Sequence, residues 1–186
     1  GTRAKQVAMI RQEFIKARSY MDKIDAAQAD EEKEAPARDL RNEVLVEILR
    51  GERPLMITAH GSVDIQNALR LQKELQIKVV LEGASECYDY FDELKEQQIP
   101  GIIHPPMMRA SGKGQNSSME TVAKMVAAGI PVAMGSGYES YVPKTRVVLW
   151  EAAIASSASM RSLRSSPIPT RIPVVKGMAR RPAASR

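Results

Sequence analysis

The chain has 186 residues, of which 44% are hydrophobic and 26% charged, as expected for a globular domain with a sizeable core. It has no run of about 18 apolar residues, and the N-terminal stretch mixes charged with apolar residues, so neither a transmembrane helix nor a signal peptide is expected. A single cysteine, Cys87, excludes an internal disulfide. These features predict a cytoplasmic protein without a membrane partner.

The net charge of +5 comes from the end of the chain, because residues 161–186 contain seven Lys or Arg residues and no acid. Residues 1–160 are therefore slightly acidic, and no basic-aromatic module appears among them, so no specific nucleic-acid partner is expected. The composition predicts a domain over residues 1–160. Residues 161–186 form a basic, proline-rich tail, predicted to be disordered or non-native.

Two helical stretches come first, over residues 4–24 and 37–52, with an acidic loop between them. Short apolar runs then alternate with amphipathic stretches, which is typical of consecutive βα units and a parallel sheet. The four apolar runs occupy residues 54–58, 78–83, 101–106 and 131–137. The predicted fold class is α/β with about four parallel strands, arranged either as half of a (β/α)8 barrel or as a small doubly wound sheet.

Local signals predict where the helices begin and end. Ser62 is placed to cap the helix after the first strand, and Ser117 with Glu120 has the spacing of a capping box. Gly129 and Pro131 predict the end of the helix that Glu120 begins.

Ligands of parallel sheets bind at the carboxyl ends of the strands, and both histidines of the chain, His60 and His104, follow predicted strands. Each histidine is either a functional group or a strand-end residue bonded to backbone. Glu82 and Glu86, at the end of the second predicted strand, are candidate acid–base carboxylates. Glu86 is more simply interpreted as a first-turn residue favoured by its own helix dipole. Cys87 is expected to pack in the core.

The fourth strand ends in Gly-Ser-Gly at residues 135–137, but no Gly-Lys-Ser/Thr follows and no G-x-G-x-x-G opens a helix, so a phosphate loop is not predicted. Four further candidates for ligand binding follow this strand. They are Tyr138, Glu139, Lys144 and Arg146. Lys144 and Arg146 either bind a carboxylate or are solvated residues of the next helix.

Several blocks of residues 5–158 together resemble the amidohydrolase superfamily, and its imidazolonepropionase-like branch in particular. The blocks include "RDLRNEVLVEILRGERPLMITAH", "VVLEGASECY", "HPPMMR" and "GSGYESYVPKTRVVLWEAAIA". The resemblance implies a partial (β/α)8 barrel, in which the four strands correspond to strands five to eight of the complete barrel.

The family hydrolyses C–N bonds of amides and cyclic amides, with water activated by a divalent metal, typically zinc. The resemblance implies that His60 is a metal ligand retained from the strand-five motif. Gly83 and Gly137 stand where relatives keep a histidine and an aspartate, so the ligand positions are degenerate. Metal is therefore expected to be absent or substoichiometric, and His60, Glu82, His104, Tyr138, Glu139, Lys144 and Arg146 remain the candidate site.

Residues 161–186 lack the C-terminal passage that the family implies, which suggests translation in a shifted frame. The leading hypothesis is a truncated, metal-deficient amidohydrolase-family protein that is inactive as this chain alone. If it is active, its substrate is expected to be a small molecule. Two alternatives stay open: a non-catalytic α/β binding or assembly module, and a half-barrel hydrolase active only as a homo-oligomer through its open strand edges.

Overall fold

The computed structural model describes residues 2–30, 32–104, 115–118, 120–135 and 148–163. Two helices, α1 (Arg3–Ala29) and α2 (Leu40–Leu49), precede the sheet and pack against each other. Phe14 of α1 and Ile48 of α2 are buried in the main core. A bidentate ion pair between Arg11 and Glu74, with atoms 2.6–2.8 Å apart, joins α1 to the helix that follows the first strand.

The predicted βα units are confirmed. The strands are β1 (Leu55–Ala59), β2 (Val79–Gly83), β3 (Gly101–Ile103) and β4 (Val132–Met134), and all pair in parallel. The helices that follow them are α3 (Ser62–Leu75), α4 (Phe91–Glu96) after a 3-10 turn at Cys87–Tyr90, α5 (Glu120–Ala127) and α6 (Val148–Leu163). None of the helices in the described part of the chain is long and apolar enough to cross a membrane.

Successive side chains of each strand point to opposite faces of the sheet, and the helices cover only one of these faces, which leaves the other face open. Leu81 and Ile103 point to the covered face, where they are buried with Ile65 of α3, Leu94 of α4 and Met125 of α5. The opposite face carries apolar residues and polar strand ends that these helices leave uncovered. It consists of Met56, Thr58, Val80, Glu82, Ile102, His104, Ala133 and Gly135.

The strand order decides between the two predicted architectures. The described strands lie in the order β1-β2-β3-β4, without the reversal that defines a doubly wound sheet. Sequential parallel strands with helices packed on one face are the arrangement of a (β/α)8 barrel. The α/β prediction of a partial TIM barrel with four parallel strands is confirmed.

Two of the predicted helix caps are wrong in detail. Ser62 is the first residue of α3 rather than its cap, because Gly61 holds the N-cap position without a side-chain bond. Ser118, not Ser117, accepts a hydrogen bond from the Glu120 N–H at 3.2 Å. At the other end of α5, Gly129 adopts a φ of +77°, as its predicted role as a helix stop requires.

Candidate functional site

The carboxylate of Glu82 is held from both sides at the open face of the sheet. Thr58 lies directly opposite Glu82 in the β1–β2 register, and its Oγ1 donates a hydrogen bond of 2.5 Å to Oε2. Nε2 of His104, which follows β3, lies 2.6 Å from Oε1. Each carboxylate oxygen of Glu82 therefore has one partner from a neighbouring strand.

These partners keep Glu82 ionised. The hydrogen bond from Thr58 is the largest cause that lowers the pKa of Glu82, and partial burial opposes it. The hydrogen bond and charge of His104, and the charge of His60, lower this pKa further. A carboxylate with a lowered pKa is a weak proton acceptor but a strong acceptor of hydrogen bonds from a ligand N–H group.

The contacts of His104 indicate that it orients Glu82 rather than binding a ligand itself. Its Nε2 is bonded to the carboxylate, and its Nδ1 is buried without a hydrogen-bond partner among the described residues. Because neither ring nitrogen is open in this part of the protein, His104 is best described as the residue that orients Glu82. Its prediction as a residue that itself contacts the ligand stays a prediction.

His60 has the opposite arrangement. Its Nδ1 lies 2.9 Å from Oγ of Ser85, and Ser85 Oγ in turn lies 2.8 Å from Oγ of Ser117. Its Nε2 has no hydrogen-bond partner in the described ranges, and the residue is only half-buried. An imidazole held at one nitrogen and open at the other has the geometry of a general acid–base group.

The sequence did not predict Ser85 and Ser117 as site residues, and it indicated Ser117 only as a helix cap. Ser85 is 3% exposed and lies just after β2, and Ser117 precedes α5. The available signal was the position of Ser85, two residues after the glycine that ends β2. The hydrogen bond between Ser85 and Ser117 could not be predicted from the sequence, because the two residues are far apart along the chain.

The structure corrects the interpretation of Glu86. Its carboxylate accepts the backbone N–H of Ser62 at 2.6 Å, so it stabilises the start of α3 rather than its own helix. Its other oxygen accepts Nδ2 of Asn116 at 2.6 Å. The pKa of Glu86 is lowered, first by the Ser62 bond and then by the Asn116 bond.

Cys87 is buried at 0% exposure, and burial raises the pKa of its thiol to about 12. Its Sγ contacts Sδ of Met125 at 3.8 Å. A protonated, enclosed thiol is not a nucleophile, so Cys87 has the packing role that the sequence indicated.

The described strand ends do not fit a metal centre. No cluster of three His, Cys, Asp or Glu side chains in the described ranges is arranged to hold an ion. Both oxygens of Glu82 and Nδ1 of His60 are already hydrogen-bonded, and Gly83 offers only backbone. Among the described residues, His60 therefore lacks the further ligands that a zinc site needs.

The remaining candidates, Tyr138, Glu139, Lys144 and Arg146, lie outside the described residues, as does Gly137. The part of the site that the structure describes therefore comes from the ends of β1, β2 and β3 and from residues 115–118. It combines an ionised carboxylate with an imidazole whose Nε2 has no hydrogen-bond partner among the described residues, on the inner side of a partial barrel.

The described part of the chain has the fold of the (β/α)8 barrel class, and its candidate site lies at the carboxyl ends of the strands, where ligands bind in that class. The structure is similar to the crystal structure of an amidohydrolase from Thermotoga maritima MSB8, with a TM-score of 0.75 and 30% sequence identity. The match covers 84% of this chain and 40% of the Thermotoga protein, so this chain spans less than half of that protein's length. The similarity supports the resemblance to the amidohydrolase superfamily. No known family profile and no curated protein matches the chain.

Proposed function

We propose that this chain is an amidohydrolase-superfamily protein of the imidazolonepropionase-like branch that hydrolyses a C–N bond in a small amide or cyclic amide. The observation that carries the proposal is the pairing of an oriented, ionised Glu82 with the open Nε2 of His60 at the strand ends of a partial barrel. The 30% identity to an amidohydrolase supports the same class of reaction.

In this proposal Glu82 binds the substrate. Its carboxylate accepts a hydrogen bond from the N–H of the amide, while Thr58 and His104 keep both oxygens in place. A substrate with an N–H group next to the scissile carbonyl is therefore preferred over a tertiary amide or an ester. This preference follows because each carboxylate oxygen can accept a second hydrogen bond from an N–H group, which a tertiary amide or an ester lacks.

His60 transfers protons. Its Nε2 takes a proton from the water that adds to the carbonyl carbon, and it returns that proton to the nitrogen as the C–N bond breaks. Ser85 holds Nδ1 and so fixes the direction of Nε2. Because the described strand ends hold no metal-ligand set, no step is assigned to a metal, and we propose that these residues bind metal at most substoichiometrically.

The test is hydrolysis by the full chain of a panel of N-acetyl amino acids and of five- and six-membered cyclic amides, followed by amine or carboxylate release. His60→Gln removes a proton-transfer group and is expected to lower kcat about 100-fold or more. Glu82→Gln keeps the size but loses the charge, and is expected to raise KM about 10-fold.

Glu52→Gln is the matched control, because Glu52 is exposed and its side chain makes no hydrogen bond or ion pair within the described ranges. It is expected to leave both kinetic constants unchanged. The absence of turnover on every amide tested, or turnover that neither site variant alters, would refute the proposal.

A further inference from the structure

Each histidine of the site lies over a glycine of the next strand. A Cβ added to Gly83 at the end of β2 would lie 2.5 Å from Cε1 and 2.9 Å from both ring nitrogens of His60. A Cβ added to Gly135, just after β4, would lie 2.6 Å from Cε1 and 2.9 Å from Nδ1 of His104. Real Cβ atoms essentially never lie within 3.0 Å of another atom, so a side chain at either glycine would require the histidine ring to shift.

Backbone conformation separates the two glycines. Gly83 has a φ of +87°, which by itself favours glycine. Gly135 has no such φ, so the space around it is what requires it to lack a side chain: a Cβ there would meet the ring of His104 and, at 3.2 Å, Cγ2 of Ile102. The same ring contact at two strand ends, only one of them with left-handed backbone, indicates that the imidazoles contribute to the need for glycine at both positions.

We propose that Gly83 and Gly135 are positioning residues, whose missing side chains allow His60 and His104 to reach Ser85 and Glu82. His60 then fills the space at the end of β2 that a larger residue at position 83 would occupy. The catalytic meaning of this arrangement rests on the proposed function of His60 and Glu82. The packing itself is measurable without any substrate.

A double-mutant cycle isolates the ring–glycine contact from every other effect of the substitutions. Gly135→Ala is expected to lower the Tm of the full chain by about 3 °C or more. In the His104→Ala background the same change is expected to have less than half of that effect, because the clashing ring is gone. If Gly135→Ala alone fails to fold, a folded His104→Ala/Gly135→Ala protein gives the same support.

The Gly83 cycle with His60→Ala has a matched control for backbone strain. Gly129 has a similar φ of +77°, but a Cβ there would meet nothing within 4 Å. Gly129→Ala therefore reports the cost of a left-handed alanine without a steric neighbour. The loss caused by Gly83→Ala should exceed the loss from Gly129→Ala when His60 is present, and should approach it when His60 is Ala.

Histidine NMR provides a readout that a purely structural role would not move. The chain contains two histidines, so the His60→Ala and His104→Ala variants assign both rings. Gly83→Ala is expected to shift the ring ¹⁵N resonances of His60 in the same direction as Ser85→Ala, since both remove the bond at Nδ1. Gly129→Ala should leave these resonances in place.

Equal Tm losses with and without the facing histidine, or His60 resonances that Gly83→Ala leaves unchanged, would overturn the assignment. In an active protein, a displaced His60 is expected to lower kcat about 100-fold. If coupling and NMR shifts are found but no amide is hydrolysed, the positioning role stands and the proposed function fails. If hydrolysis is found without coupling between the glycine and histidine substitutions, the proposed function stands and the positioning role fails.

Discussion

Glu82 lies between hydrogen-bond donors from the strands on either side of it. These donors, rather than the residue type alone, lower the pKa of its carboxyl group. The sequence placed Glu82, His60 and His104 at strand ends, because short apolar runs ended just before or at them. It gave no means to predict which ring nitrogen of each histidine is bonded. Those bonds depend on the register of Thr58 with Glu82 and on a contact to Ser85, both set by tertiary structure.

The lowered pKa of Glu82 gives the stability of the protein a pH dependence with a definite sign. Because the folded-state pKa lies below the ordinary value of 4.5, ionised Glu82 stabilises the fold above that pH. This contribution is lost as pH falls through the folded-state pKa. Glu82→Gln should therefore reduce the fall in Tm on acidification below about pH 4.5, whereas Glu52→Gln should leave that fall as it is.

Thr58→Val tests whether the hydrogen bond from Thr58 lowers the pKa of Glu82. The substitution keeps the shape of the side chain and removes the hydroxyl that donates to Oε2 of Glu82. The pKa of Glu82 should rise toward its ordinary value, as followed by ¹³C NMR of its carboxyl carbon. An unchanged titration would contradict the assignment of Thr58 as the largest cause of the shift.

At the scale of elements, α3 begins through a contact that crosses between βα units. The sequence predicted the strands and helices themselves because apolar periodicity is a local property. It assigned the cap of α3 to Ser62, whereas the carboxylate that accepts the Ser62 N–H belongs to Glu86, beyond the next strand. Residue Asn116, after β3, is bonded to the same carboxylate, so three consecutive units meet at Glu86.

Glu86→Ala should accordingly weaken the start of α3. The loss of one carboxylate at a helix N-terminus is expected to cost about 1 kcal/mol of unfolding free energy. Amide hydrogen exchange at Ser62 should accelerate, while exchange in the middle of α3 should change less. Asn116→Ala is the matched comparison, since it frees one oxygen of Glu86 and leaves the bond to Ser62 intact. Equal exchange at Ser62 in the wild type and Glu86→Ala would contradict this role.

At the scale of the whole molecule, the described sheet has one covered face and two outer edges, at β1 and β4. Its open face includes Met56, which is 60% exposed. Unpaired parallel edges next to an apolar face favour contact with other chains, and we propose that copies of this chain associate there. Light scattering over a concentration series should show association that Met56→Lys reduces, while Val126→Lys, on the outer surface of α5, should not.

We propose that the described strand ends of this partial barrel form a carboxylate–imidazole site rather than a metal centre. Elemental analysis of the purified full chain, with zinc supplied during expression, tests it most directly. The account predicts less than one bound transition metal per chain, and no change in that value in His60→Ala. One zinc per chain that is lost in His60→Ala would contradict it.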